Sequence, residues 1–113
     1  MAAGPDPETE LHPVPGARWG TAIAGFKQWK RPDLALLALA PGSCTAAVFT
    51  RNRLRAAPVQ VAAEHLAEAE ARALLVNSGN ANAATGEAGL ETARASCRLA
   101  GAHLDVVPER VVP

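Results

Sequence analysis

The 113-residue sequence predicts a mixed α/β (α+β) architecture, and three observations carry that expectation. Apolar runs of strand length alternate with stretches of helix formers. One long segment repeats its apolar residues at three-four spacing, which marks an amphipathic helix. One apolar run is nearly continuous and closes on Pro-Gly, as a buried strand entering a turn does.

Residues 1–15 hold four prolines and three acids and predict an irregular surface arm. From Arg18 onward Trp19, Thr21 and Ile23 alternate with Gly20, Ala22 and Ala24, a period-two pattern diluted by glycine. A charged turn over residues 28–32 leads to residues 34–40 (LALLALA), the buried strand that ends at Pro41-Gly42. Residues 44–50 (CTAAVFT) are expected to fold back on it as a hairpin. A third short strand is expected over residues 59–62, with Pro58 confining it to an edge or a first position.

Residues 64–72 (EHLAEAEAR) predict a short charged helix and residues 73–76 (ALLV) another buried strand. Residues 77–86 (NSGNANAATG) form a small-residue loop, in which Thr85 is placed to cap the helix behind it. The strongest helix signal runs from Glu87 to about Ala102, with Leu90, Ala93, Cys97, Ala100 and Leu104 on one face. Glu91 can pair with Arg94 and Arg98, and Gly101 marks the expected start of the helix end. Residues 106–113 are apolar and look like an interruption inside a folded region.

Composition narrows the function classes. The chain is 49% hydrophobic and 19% charged, with eleven bases and eleven acids, so no global field favours nucleic acid or a membrane surface. Of the apolar residues 26 are alanine, each burying about one methyl, so the core is weak for its apolar fraction and a partner or further chain is expected. The longest apolar run is far short of the roughly 20 residues a membrane span needs, and the acidic N-terminus has no signal-peptide pattern, which points to the cytoplasm. Cys44 and Cys97 are expected to be buried free thiols.

His12, His65 and His103 stand singly, without metal-ligand spacing, and are expected to be ordinary surface or helix residues; no metal site is expected. The glycines around Asn80 have the wrong spacing for a phosphate-binding loop. Two features remain. Residues 18–55 hold seven bases against one acid, and Arg51, Arg53 and Arg55 on an extended segment would point to one side and could contact an anion, although a solvated connection explains them as well. The loop Asn77, Ser78, Gly79, Asn80, Ala81, Asn82 lies between a buried strand and a helix, where open sheets often bind ligands, and its amides can both donate and accept.

VFTRNRLRAAPVQVA (residues 48–62) followed by LLVNSGNANAATGEAGLETA (residues 74–93) resembles the bifunctional ornithine acetyltransferase/N-acetylglutamate synthase family of arginine biosynthesis. The stretches from His12-Pro13-Val14 to Phe26-Lys27 and Arg31-Pro32-Asp33-Leu34 resemble its N-terminal region. The resemblance implies a segment, over residues 16–113, of the α chain of a self-processing, layered fold. It implies transfer of acetyl from N-acetylornithine to glutamate through an acetyl-threonine, with acetyl-CoA a substrate of some members and no bound cofactor. The partners implied are the remainder of the α chain and the β chain, assembled as an αβ heterotetramer.

The family's self-cutting threonine and its oxyanion Thr-Gly pair have no counterpart up to Pro113, so no catalytic residue carries over and this chain alone is expected to be inactive. The Asn77–Asn82 loop is expected to support the acyl site from behind. Two alternatives stand beside this: a noncatalytic structural subunit complementing a separate remainder, or a segment of a related self-processing amidohydrolase.

Overall fold

The structure is a computed structural model that describes Glu10, residues 12–26, Gln28 and residues 30–113. Most of the expected N-terminal arm therefore lies outside the described residues.

Among the described residues four strands form one mixed sheet. β1 (Ala17–Ala22) and β2 (Leu34–Leu39) pair antiparallel, from Ala17 opposite Leu39 to Ala22 opposite Leu34. β3 (Ala73–Asn77) pairs antiparallel with the other side of β2, and β4 (Val111–Val112) adds in parallel to β3. The spatial order is thus β1-β2-β3-β4. Both edges of β2 are occupied, which leaves no ladder for the hairpin expected from residues 44–50; that segment is irregular and Val48 and Phe49 are exposed.

Helix α1 (Ala57–Glu68) corrects a second expectation, since it absorbs residues 59–62. Pro58 sits in its first turn, where the missing N–H costs nothing and the fixed φ suits a helix. Its buried positions include Ala57, Val61 and His65, spaced four apart, a helical period that a window starting at Val59 truncates. Helix α2 (Gly86–Leu104) buries Ala93, Cys97 and Ala100, the face that the three-four spacing predicts. Thr85 occupies its N-cap position without a side-chain capping bond. The helix continues past Gly101 and ends at Asp105, whose backbone is left-handed; the Gly101 carbonyl takes the N–H groups of Asp105 and Val106. A Cβ at Gly101 would stand 2.6 Å from the Val106 carbonyl oxygen, so glycine serves the return of the chain there.

Both helices cover one face of the sheet. Val61, Ala73, Ala93, Cys97 and Val111 form the core, with Leu36 and Leu75 packed against it. Strand alternation then turns the opposite row outward: Trp19, Leu37, Leu74 and Val112 lie side by side across all four strands. Trp19 is 66% exposed and Val76, on the same face, 46%. An ion pair of 2.9 Å between Arg94 and Glu64 links the helices, while Arg98 takes Glu91 at 2.6 Å, so Glu91 hydrogen-bonds one of its two expected partners.

Candidate functional site

The loop after β3 turns on Gly79, at φ +91°, and Ala84, at φ +55°, both in left-handed backbone. Its three asparagines form a chain of amides. Asn80 Nδ2 donates to Asn82 Oδ1 at 3.1 Å, and Asn82 Nδ2 donates to Asn77 Oδ1 at 2.9 Å. Among the described residues this leaves the Asn77 Nδ2 donor at one end of the chain and the Asn80 Oδ1 acceptor at the other without a protein partner. The backbone anchors the loop at both ends: Ser78 N–H donates to the Asp33 carbonyl at 2.8 Å, and the Asn82 carbonyl accepts from Ala57 N–H at 3.4 Å.

A cavity of about 460 Å³ opens beside this loop at the start of α2. Asn77, Asn80, Asn82, Thr85, Thr92 and Ser96 give it polar walls, whereas Phe26, Leu75, Ala93 and Pro113 supply apolar ones. Ser78 and Gly79 shape the loop but do not line the cavity. A space of this size, mostly apolar with a few converging polar groups, suits a small molecule. An amide lining can hold a ligand's N–H and C=O but cannot exchange protons near neutral pH.

The remaining sequence-derived candidates lie elsewhere. Arg51, Arg53 and Arg55 are exposed on an irregular segment held by Asn52 N–H to Thr50 Oγ1 and Leu54 N–H to Asn52 Oδ1, and none of the three lines the cavity. The segment is no strand, so the basis for their pointing to one side is gone. Cys44 is exposed, contrary to expectation, while Cys97 is buried. Burial pushes the Cys97 thiol up to about 11, with Arg98 opposing and Glu109 adding, so it stays protonated at neutral pH. Among the described residues no three His, Cys, Asp or Glu side chains gather as a metal site would require.

Sequence reasoning passed over three contributors. His65 is buried, and its Nδ1 donates to the Val111 carbonyl at 2.7 Å, which Cys97 Sγ also approaches at 3.5 Å. Since a carbonyl only accepts, His65 carries its proton on Nδ1. Thr92 and Ser96 reach the cavity because they sit four apart on α2, next to the small residues Ala88 and Gly89. That polar, small stripe was visible in the sequence but runs beside the stronger apolar one. Asp33, only 2% exposed, is the third.

Together these features define an α/β segment that presents a row of amides to a ligand-sized cavity at the junction of a strand and a helix. The same fold occurs in an ornithine acetyltransferase of Mycobacterium tuberculosis solved in complex with ornithine, with a TM-score of 0.82 and 36% identity over 87% of this chain and 54% of that one. It occurs also in the arginine biosynthesis bifunctional protein ArgJ of Bacillus halodurans, with a TM-score of 0.80 and 33% identity over 87% of this chain and 51% of the other. The arginine biosynthesis bifunctional protein ArgJ of Methylococcus capsulatus is 50% identical across the whole of this chain, which spans 28% of that relative's length. The chain belongs to the ArgJ family, whose family model matches residues 18–113.

Proposed function

We propose that residues 16–113 form the N-terminal portion of the α chain of a cytoplasmic acetyltransferase of arginine biosynthesis, moving acetyl from N-acetylornithine to glutamate. The carrying observation is the cavity in which Asn77, Asn80 and Asn82 line up against the start of α2. An N-acetyl amino acid offers one amide N–H and one amide C=O, and the free acceptor on Asn80 and free donor on Asn77 match that pair. In this proposal the asparagines hold the amide or the neighbouring backbone, and bond making falls to a threonine of the remainder. That hydroxyl takes the acetyl group as an ester as the amide C–N bond breaks and ornithine leaves with the hydroxyl proton on its amine. The glutamate amine then takes the acetyl group and the hydroxyl regains a proton, with no cofactor bound and acetyl-CoA as a second donor.

The outward row Trp19–Leu37–Leu74–Val112 supports a shared assembly, since an apolar sheet face of this kind is stable only when covered. The remainder of the α chain is its proposed cover, with the β chain completing an αβ unit that pairs into a heterotetramer. Arg51, Arg53 and Arg55 remain available for an anionic partner surface in that assembly.

Two assays test this. The first incubates the 113-residue chain with N-acetylornithine and glutamate. The second uses a hybrid in which this chain replaces the matching stretch of the Methylococcus relative. Transfer by the hybrid and none by the chain alone is the expected result. Transfer by the chain alone, or an inactive but folded hybrid, overturns the proposal.

A further inference from the structure

Between β1 and β2 two backbone amides, those of Ala24 and Phe26, converge on one buried side chain. Asp33, the residue before β2, donates its N–H to the Ala22 carbonyl at 3.1 Å and so closes the strand pair. One carboxylate oxygen accepts from Ala24 N–H at 2.5 Å and the other from Phe26 N–H at 2.8 Å. Between these two amides lies Gly25 at φ +82°, a conformation that glycine adopts freely and that turns both N–H groups toward the same carboxylate. The Asp33 carbonyl, in turn, accepts from Ser78 N–H at 2.8 Å, at the first residue beyond β3. A single residue therefore fixes the segment that carries Phe26 and the root of the asparagine loop.

Phe26 and that loop meet in the cavity. Among the described residues Phe26 is its one aromatic lining residue, and it shares the apolar lining with Leu75. A bound acyl amide would place its N–H and C=O on the asparagines and its alkyl end toward Phe26 and Leu75.

We propose that Asp33 is a positioning residue that sets Phe26 as the stop for the alkyl end of a short acyl group, so that the pair selects acyl length. This rests on the acyl-transfer role proposed above. Charge-assisted hydrogen bonds to a carboxylate are stronger than neutral ones, so Asp33→Asn, which presents an NH₂ toward one of the two N–H groups, removes at least one clasp while leaving side-chain size unchanged.

The test uses the hybrid with the Methylococcus remainder and compares N-acetylornithine with N-butyrylornithine as donors. F26A is expected to raise the butyryl-to-acetyl ratio of kcat/KM at least about fivefold, D33N to shift it in the same direction, and the double variant to go no further than F26A alone. F26L, which keeps an apolar side chain, should give an intermediate ratio and guards against loss of folding in F26A. Hydrogen exchange read by mass spectrometry should show the Ala24 and Phe26 amides exchanging at least about tenfold faster in D33N. An unchanged donor ratio in D33N, or additive shifts in the double variant, overturns the assignment, because a purely structural role would depress both donors alike. Should the unmutated hybrid transfer no acyl group, the acyl-transfer role fails, and the exchange measurement still decides whether Asp33 clasps Phe26: unchanged exchange in D33N overturns it.

Discussion

Replacing Trp19 with lysine isolates the contribution of the outward sheet face. An indole side chain buries roughly 150–250 Å² when covered. With Trp19 66% exposed, a covering layer would remove roughly 100–165 Å² more from water, worth about 2.5–4 kcal/mol at roughly 25 cal/mol per Å². Even a contact that covers half of that surface contributes more than about 1.2 kcal/mol, close to a factor of ten in an association constant. The isolated chain should therefore self-associate through this face, and Trp19→Lys should raise the concentration for association about tenfold by sedimentation velocity. Leu54→Lys is the control: Leu54 is 83% exposed but lies on the irregular segment before α1 and belongs to none of the four strands, and its replacement should leave association within about twofold. A chain that stays monomeric at high concentration and unfolds cooperatively on heating refutes the reasoning. Equal effects from both substitutions would show that total exposed apolar surface matters and the row does not.

Three further outcomes concern the site and the core. Asn80→Leu removes the end of the amide chain without touching a titratable group, so in the hybrid it should lower acetyl transfer at every pH while leaving the pH profile unshifted; unchanged turnover would remove the loop from the site. Iodoacetamide at pH 8 should modify Cys44 rapidly and Cys97 only after urea is added; because burial raises the Cys97 value above that of an unfolded thiol, its contribution to stability is intact below about pH 9 and lost as pH climbs toward 11, which a series of urea midpoints should trace. His65→Ala strips the Val111 carbonyl of its nitrogen donor in the core and should cost about 1–3 kcal/mol, read as faster proteolysis between β4 and the 3-10 turn Pro108–Arg110; unchanged proteolysis would mean that the β3 ladder and Cys97 hold β4 without it.

What the sequence made legible divides by the range of the interactions. β2, β3 and α2 stand where their own residues place them, since LALLALA, ALLV and the Leu90–Ala93–Cys97 face each carry a complete period. The hairpin from residues 44–50 failed because strand propensity is local while the filling of both β2 edges is not. α1 was missed at its first turn because Pro58 supports either an edge strand or a helix start, and only burial of Ala57, Val61 and His65 together decides between them. At the site, the asparagine loop announced itself through composition. Its aromatic lining did not: Phe26 is separated from Asn80 by more than fifty positions, and nothing in its neighbourhood betrays that Asp33 holds its backbone beside the cavity.

The core explains how so alanine-rich a chain can hold that cavity open. Ala57, Ala73, Ala93 and Ala100 let the two helices and the sheet approach closely, and the largest fully buried side chains are only Val61, Cys97 and Val111. Close approach brings polar groups inside as well, and they are used: the Val111 carbonyl faces His65 Nδ1 on α1 and Cys97 Sγ on α2, so β4 is gripped from both helices at one atom. β4 has only two residues, and its short ladder to β3 could not fix its register alone. With Val111 pinned, Val112 must face outward beside Leu74, and Pro113 arrives at the cavity wall. The same carbonyl thus links the packing of the core to the shape of the site. Removing the grip at His65 should therefore disturb the cavity as well as the strand, although His65 touches no part of it.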